Sequence, residues 1–170
     1  MNDFHKTTVY PFIAALEANW KRIHEEYKEV VSKLEEWPEH ELYNHEWDLF
    51  KLFQWPKGEE IHTNTALCPF TSSLIRDLVP THRAAGFSRI GPGTVIQPHT
   101  GYPANFLRYH LGLSVPEGDC CIRVNKTTAK WVNGGSLLFD DRVEHEVWNK
   151  TSYARVILIV DFVPTTTMYS

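Results

Sequence analysis

The spacing of hydrophobic residues changes midway along this 170-residue chain, and the change limits the folds that the chain can adopt. In the first third, apolar side chains recur every three or four residues, which is typical of amphipathic helices. From Ala85 onward they alternate with polar side chains, which is typical of strands. The first pattern predicts one helix from Pro11 to about Leu34 and a shorter one that follows Pro69 and stops before Pro80.

The second part of the chain reads as a series of short strands separated by turn residues. A further stretch, at 49–55, is rich in aromatic residues and fits a strand within the helical part. The predicted strands of the second part are 86–90, 94–97, 105–115, 120–124, 129–132, 136–139, 144–148 and 153–163. Such spacing favours a jelly roll, that is, a cupin-like double-stranded β-helix. We therefore expect a mainly β fold with flanking N-terminal α-helices, in one domain over residues 1–170: a helical part at 1–84 and a jelly-roll core at 85–164.

Composition argues against several classes of function. The net charge is −4, from 17 basic and 21 acidic residues, which gives no reason to expect nucleic acid or an anionic membrane as a partner. No apolar run reaches membrane-spanning length, and the N-terminus lacks the pattern of a signal peptide. Three cysteines, two of them adjacent, argue against a disulfide framework. We therefore expect a cytoplasmic protein, and its oligomeric state stays open.

Three of the nine histidines, His99, His110 and His145, fall in the β part. Ten residues after His145 comes Arg155, at the start of an apolar strand. On a jelly roll, a histidine on one strand can bind iron while an arginine on the next projects into the same cavity and holds the distal carboxylate of 2-oxoglutarate. The alternative for Arg155 is a surface position on an edge strand. Because its neighbours are apolar, we favour an inward arginine that binds an anion.

Spacing alone does not decide the second metal ligand. Non-haem iron sites usually combine two histidines with a carboxylate, often as a His-x-Asp or His-x-Glu pair. The β part has no such pair before His145. It has His99-Thr100-Gly101 and His110-Leu111-Gly112 instead, each with glycine in the carboxylate position. His99 follows Pro98 at a strand end, where a ligand at the rim would stand, so spacing favours His99 but leaves His110 open.

The β part resembles the catalytic domain of the aspartyl/asparaginyl β-hydroxylase family. The matching segments follow the family's order and spacing: Pro98-His99-Thr100-Gly101, 107–113, Phe139-Asp140-Asp141, 144–148 and 155–161. The resemblance implies an enzyme that hydroxylates an unactivated C–H bond with Fe(II), 2-oxoglutarate as co-substrate and O2. Carried over to this chain, it makes His99 and His145 the iron ligands. Gly101 then stands where a carboxylate ligand is usual, a water fills that position, and Asp141 orients this water.

The same resemblance implies a co-substrate site. Ser88 and Arg155 match the pair that holds the distal carboxylate of 2-oxoglutarate, and Arg108 and His110 match residues near the carboxylate beside the metal. Other nearby residues are expected to have structural roles. Trp131 and Trp148 are expected to pack in the core, and Glu144 and Glu146 to point away from the metal because they flank His145 on the opposite face of the strand.

The substrate is less well defined. Animal members of the family act on Asp or Asn side chains and have Arg-Leu-Arg before the strand histidine, where this chain has Phe106-Leu107-Arg108. Loss of one basic group makes that side of the pocket less suited to an acidic side chain. We expect an amino acid, an amino-acid derivative or a peptide as substrate. A lipid acyl chain is the first alternative, and a non-catalytic, cupin-like metal-binding module is the second.

Overall fold

The structure, a computed structural model, describes residues 3–164. Its helices are α1 (Pro11–Ala18), α2 (Trp20–Val30), α3 (His62–Thr65) and α4 (Pro69–Leu78), with 3₁₀ turns at Thr7–Val9, Val31–Lys33 and His40–Leu42. The strands are β1 (Glu35–Glu36), β2 (Trp47–Gln54), β3 (Glu59–Glu60), β4 (His82–Ile90), β5 (Val95–His99), β6 (Leu107–Ser114), β7 (Cys120–Val124), β8 (Thr127–Lys130), β9 (Ser136–Phe139), β10 (His145–Asn149) and β11 (Arg155–Phe162). In the described part of the chain, no helix is long and apolar enough to cross a membrane.

Two antiparallel sheets face each other. The large sheet has the order β1-β2-β4-β11-β6-β9, with β3 paired to β2, and the small sheet has the order β5-β10-β7-β8. One buried apolar cluster contains side chains from both sheets, and a second joins the large sheet to the helices. The layers are therefore helices, large sheet and small sheet. This confirms the predicted mainly β, jelly-roll fold with flanking N-terminal helices.

Alternation along β6 and β11 places polar side chains inside the jelly roll. On β11, Val156, Leu158, Val160 and Phe162 belong to the cluster that contacts the helices. Because neighbouring side chains on a strand point to opposite faces, the intervening residues turn toward the small sheet. Arg155 and Asp161 are among them, and both are buried. The apolar residues of one face thus fix the inward direction of the charged ones.

The large sheet extends into the N-terminal part of the chain. The aromatic strand predicted at 49–55 is confirmed as β2, which pairs with β4 over Trp47–Phe53. Strand β4 begins at His82, within the part that we expected to be helical. Strands β2 and β4 are therefore neighbours in the sheet, although helices α3 and α4 lie between them in the sequence.

The long N-terminal helix was predicted as one segment, and the structure divides it at Asn19. The Asn19 side chain donates a hydrogen bond from Nδ2 to the carbonyl oxygen of Ala15 at 2.8 Å. A short amide side chain that bonds to nearby backbone competes with the helical pattern. The helical repeat also ends early, because a 3₁₀ turn follows Val30. The prediction of an uninterrupted helix to Leu34 was therefore wrong.

Helix α4 has the predicted start and end, and a carboxylate from α2 caps it. Glu26 accepts hydrogen bonds from the backbone N–H groups of Phe70, at 2.8 Å, and Thr71, at 2.7 Å, and from the Thr71 hydroxyl, at 2.6 Å. First-turn N–H groups have no partner within their own helix, and negative charge is favourable at this end of the helix dipole. The cap fixes α2 against α4 behind the large sheet.

Candidate metal centre

His99 and His145 lie opposite each other in the small sheet. They are direct Cα partners at the end of the antiparallel β5–β10 pair, and their ring centroids are 4.3 Å apart. Directly opposed side chains on one face of a sheet are close enough to share a ligand. His110 lies on β6 of the large sheet instead. Strand pairing therefore joins His99, and not His110, to His145.

Backbone contacts set the proton position on both rings. Nδ1 of His99 lies 2.7 Å from the carbonyl oxygen of Gln97, and Nδ1 of His145 lies 2.8 Å from that of Val143. A carbonyl oxygen only accepts, so each Nδ1 carries the proton, and in the neutral ring Nε2 keeps a bare lone pair. Burial lowers the pKa of His145 to about 3, so this ring is neutral at neutral pH. Nε2 of each ring is thus the nitrogen that could bind a metal ion.

Asp141 is the carboxylate nearest to this pair. It lies on the connection between β9 of the large sheet and β10 of the small sheet, and it is 1% exposed. Its Oδ1 atom lies 3.4 Å from Nε2 of His145. Both atoms are acceptors in this protonation state, so their proximity is unfavourable unless a cation or a donor lies between them. The arrangement of acceptors therefore fits a metal ion.

Gly101 leaves the space that the Asp141 carboxylate fills. A Cβ atom on Gly101 would lie 1.6 Å from Oδ2 of Asp141, far inside van der Waals contact. The Gly101 N–H also donates to the Asp141 carbonyl oxygen at 2.8 Å, which fixes the two segments together. The space that a side chain at position 101 would need is thus taken by a carboxylate from another strand connection.

This packing predicts that Gly101→Ala destabilises the protein by about 1–3 kcal/mol, because the added methyl group must displace a carboxylate held on two sides. Gly135→Ala is the matched control, since the three atoms nearest to its Cβ would all belong to Val132, the closest at 3.3 Å. Urea denaturation of both variants measures the difference. Equal stability of the two variants would contradict a steric conflict with Asp141, whereas recovery of stability when Asp141→Gly is added to Gly101→Ala would support it.

Arg108 holds two carboxylates at once. Its Nη1 donates to Oδ1 of Asp141 at 2.5 Å, while Nε and Nη2 donate to the two carboxylate oxygens of Asp161, each at 2.8 Å. Burial disfavours the charge on Arg108, but the two carboxylates outweigh it and raise its pKa above the ordinary value. We expected Arg108 beside the metal-bound carboxylate of a co-substrate. The structure shows that its charge is already shared by two aspartates.

Arg155 and Ser88 come together at the other end of the jelly-roll interior. Nη2 of Arg155 lies 3.3 Å from the Ser88 hydroxyl oxygen, and the guanidinium lies over the Trp131 ring at 4.6 Å. Arg155 is 2% exposed, and its Nε has no hydrogen-bond partner. Burial lowers its pKa to about 10, which still leaves the side chain charged at neutral pH. Within residues 3–164, no ion pair joins Arg155 to a carboxylate, so this end of the interior is suited to an anion.

His110 presents a second unpaired donor to the same interior. Its Nδ1 accepts a hydrogen bond from the Trp131 indole at 3.2 Å, so the proton of the neutral ring sits on Nε2. That Nε2 is buried and has no partner. Burial, together with the charge of Arg155, keeps the pKa of His110 well below its ordinary value. His110 is therefore a neutral donor that faces a cavity, and this differs from the acceptor geometry of the other two histidines.

An inner cavity of about 30 Å³ connects these groups. It is lined by Trp47, Ser88, Ile96, His99, Arg108, His110, Ile122, Phe139, His145, Val147, Arg155 and Ile159. An outer groove of about 400 Å³ shares four of these residues: Trp47, His99, Arg108 and Ile159. Six of the seven site residues predicted from the sequence line the inner cavity, and the seventh, Asp141, lines the outer groove. The six are Ser88, His99, Arg108, His110, His145 and Arg155. Among residues 3–164, no group of three or more His, Cys, Asp or Glu side chains is arranged to hold a metal ion.

Three residues with a place in the site were not recognised from the sequence. Trp131, expected only to pack, orients His110 and lies against Arg155. Trp47 donates to Ser88 at 3.2 Å and lines both cavities, and Asp161 holds Arg108. The only signal in the sequence that could have identified one of them was an acidic residue, Asp161, within an apolar strand.

Trp148 is half-buried and donates to Asp119, so its expected core position was wrong. Glu144 and Glu146 pair with Arg123, away from the histidines, as expected.

Comparison with known proteins adds independent information. The profile of the family described as aspartyl/asparaginyl beta-hydroxylase matches residues 17–164. The aspartyl/asparaginyl beta-hydroxylase of Mus musculus is 36% identical over 155 residues, which cover 88% of this chain and 21% of the mouse protein. The ornithine lipid ester-linked acyl 2-hydroxylase of Rhizobium tropici is 33% identical over 170 residues, which cover 94% of this chain and 59% of that protein. The chain thus spans less than two-thirds of either relative.

Solved structures support the fold independently of sequence. A crystal structure of a predicted oxalate decarboxylase from Thermotoga maritima superposes with a TM-score of 0.50 at 11% identity, over 77% of this chain and 92% of that chain. At this identity the likeness concerns the fold alone. The profile match extends over most of the chain. It includes strands β5 and β10, which carry His99 and His145, and also strands β6 and β11. The chain therefore belongs to the aspartyl/asparaginyl β-hydroxylase family.

Proposed function

We propose that this chain is an iron(II)- and 2-oxoglutarate-dependent dioxygenase that hydroxylates an unactivated C–H bond. One observation carries the proposal: a single cavity has two bare histidine nitrogens at one side and, at the other, a buried arginine that no carboxylate within residues 3–164 pairs with. The first suits a divalent metal, and the second suits a carboxylate. A co-substrate that chelates a metal at one end and has a carboxylate at the other matches both.

In this proposal His99 and His145 hold the iron through Nε2. Asp141 lies beside them and accepts from Arg108, so its carboxylate is placed to accept a hydrogen bond from a water in the third position. The cluster of Asp141, Asp161 and Arg108 carries a net charge of −1, and burial keeps the ring of His145 neutral at neutral pH. This charge favours a divalent cation in the site.

The remaining polar groups would hold 2-oxoglutarate. Arg155 and Ser88 would donate to its distal carboxylate, and Nε2–H of His110 would donate to the carboxylate beside the metal. The inner cavity, at about 30 Å³, has room for about one water and not for a five-carbon diacid. Binding therefore requires a side chain to move. Trp47 is placed for this, because its indole donates to Ser88 and lies between the cavity and the groove.

When bound, iron and 2-oxoglutarate would activate O2, which is the oxidant: one of its oxygen atoms would end in the succinate formed with CO2 from 2-oxoglutarate, and the other in the hydroxylated substrate. The protein's own contribution is to orient both and to exclude water. Phe139, Ile122 and Val147 line the inner cavity with apolar surface. Such walls limit access of water and strengthen the electrostatic contacts of Arg155 and the histidines.

The outer groove is the place for the substrate, since it opens beside His99 and is large enough for a small molecule or a peptide side chain. We propose an amino acid, an amino-acid derivative or a peptide, in line with the family. A lipid acyl chain is the second candidate, and one observation favours it. Five aromatic side chains line the groove, and Arg108, which also lines it, is engaged by two aspartates. The rings are Trp37, Trp47, Phe53, Trp55 and Tyr102.

The chemistry is tested by anaerobic titration of the protein with Fe(II) and 2-oxoglutarate. We expect a weak visible charge-transfer band that needs both additions, followed by succinate when O2 is admitted. Iron binding without a band or succinate would instead identify a metal-binding module without turnover. Zn(II) in place of Fe(II) is the matched control, because it can occupy the site but cannot give the band or the reaction.

The substrate class is tested by mass spectrometry of two matched panels, one of free and N-acylated amino acids and short peptides, the other of amino-acid-containing lipids. Gain of one oxygen atom that depends on 2-oxoglutarate identifies the substrate. Oxygen in the amino acid or peptide part supports the first candidate. Oxygen confined to an acyl chain supports the second.

A further inference from the structure

Asp161 forms a buried ion pair with Arg108 beside the two histidines' site. It lies near the end of β11, six residues after Arg155 and on the same strand face. Its direct Cα partner across the sheet is Arg108 on β6. The side chain is 3% exposed, and it accepts two parallel hydrogen bonds from the Arg108 guanidinium. A bidentate pair of this kind fixes both the position and the plane of the arginine.

The orientation of Arg108 in turn fixes Asp141. With Nε and Nη2 taken by Asp161, Nη1 is left to point at Oδ1 of Asp141, the same oxygen that lies 3.4 Å from Nε2 of His145. Asp141 stands on the connection from the large sheet to the small sheet, and its backbone bonds to Gly101 beside the other histidine. The chain of contacts from Asp161 thus runs from the large sheet to both histidine strands.

We infer that Asp161 is a positioning residue of the metal centre: it orients Arg108, and through Arg108 it holds the Asp141 carboxylate in place beside His99 and His145. The inference rests on the proposed function, because it assigns a role toward the metal. Without the Asp161 carboxylate, the Arg108 guanidinium is free to rotate and to donate two hydrogen bonds to Asp141. Asp141 then becomes the partner of a bidentate pair, and its negative charge is drawn away from the metal position.

A simple structural ion pair would not need this geometry. Buried ion pairs add little net stability compared with apolar residues of similar size, so the pair by itself explains little of the fold. Its position explains more, because one guanidinium joins a carboxylate of the sheet interior to the carboxylate nearest the histidines. The distinguishing consequence is that Asp161 affects metal affinity only when Asp141 is present.

The test is isothermal titration of the metal-free protein with Mn(II), without co-substrate, so that no activity is needed. Asp161→Asn keeps the shape of the side chain and removes its charge. We expect Mn(II) affinity to fall by roughly 10-fold to 100-fold, the usual effect of losing an outer partner of a metal site. In an Asp141→Ala background, the same substitution is expected to change the affinity by less than about threefold.

Asp48→Asn is the matched control, because Asp48 pairs with Arg89 at 3.3 Å in the same large sheet and should leave Mn(II) affinity unchanged. Unchanged affinity in Asp161→Asn overturns the inference, and so does an equal loss in both backgrounds, since Asp161 would then act by another route. If the unmodified protein binds neither Mn(II) nor Fe(II), the proposed function fails and the inference fails with it.

A second variant covers the case in which Asp161→Asn does not fold. Arg108→Lys keeps the positive charge but replaces the fork with a single ammonium group, which cannot hold two carboxylates in fixed positions. The same loss of Mn(II) affinity is expected for this variant. Affinity equal to that of the unmodified protein would contradict the role of the Arg108 fork.

Discussion

Replacing either His99 or His145 with alanine is expected to abolish binding of Fe(II) or Mn(II), whereas replacing His110 with alanine is expected to preserve it. The rings of His99 and His145 are opposed across β5 and β10 and present bare Nε2 atoms. His110 carries its proton on Nε2 and is held there by Trp131. The loss in the first two variants should exceed the roughly 10-fold to 100-fold effect of removing an outer partner of a metal site.

His110→Ala should instead weaken 2-oxoglutarate binding. Removal of one hydrogen bond to a charged group costs about 1.5–3 kcal/mol, so the dissociation constant should rise by roughly 10-fold to 100-fold. Anaerobic titration measures both quantities in the same samples, metal affinity by calorimetry and co-substrate affinity by the charge-transfer band. The ligand assignment is wrong if His110→Ala loses the metal while His99→Ala retains it.

Replacing Arg155 with methionine is expected to raise the stability of the metal-free protein while it abolishes 2-oxoglutarate binding. Arg155 is buried, and the Ser88 hydroxyl and the Trp131 ring are weak substitutes for a carboxylate. A buried charge without a counter-ion destabilises the fold, and an unbranched apolar side chain of similar length can fill the same space. We expect a gain of about 1–2 kcal/mol, which for a chain of this size raises Tm by about 2–8 °C.

Thermal melting with and without 2-oxoglutarate checks both halves of this prediction. In the unmodified protein with Mn(II), saturating 2-oxoglutarate should raise Tm, because a ligand that binds only the folded state stabilises it. The Arg155→Met variant should start from a higher Tm and show no such increase. Ser88→Ala is the control, since it leaves the buried charge in place and removes one donor. A lower Tm for Arg155→Met, with the co-substrate effect retained, would show that Arg155 is structural.

The predictable part of this protein is the part that local patterns encode. Strands β7 and β9 and helix α4 have the predicted bounds, because apolar alternation and turn or proline residues report burial within a few neighbouring positions. The break at Asn19 was not predicted, since it depends on where one amide side chain points. The extension of the sheet into β2 was only partly predicted, because a strand pairs with residues that are distant in sequence.

The candidate site divides in the same way. The sequence by itself determined that the chain folds as a jelly roll and that His145 and Arg155 lie on successive strands, since both follow from spacing. Spacing left two His-x-Gly candidates open, and the family resemblance implied His99, which lies opposite His145 in the structure. Only the tertiary structure decided why glycine is required at Gly101 and that Asp161 holds Arg108. The physical reason is that these features depend on contacts between strands and between sheets. The hydrophobic period of a single segment does not specify the register of strand pairing or the path of the β9–β10 connection.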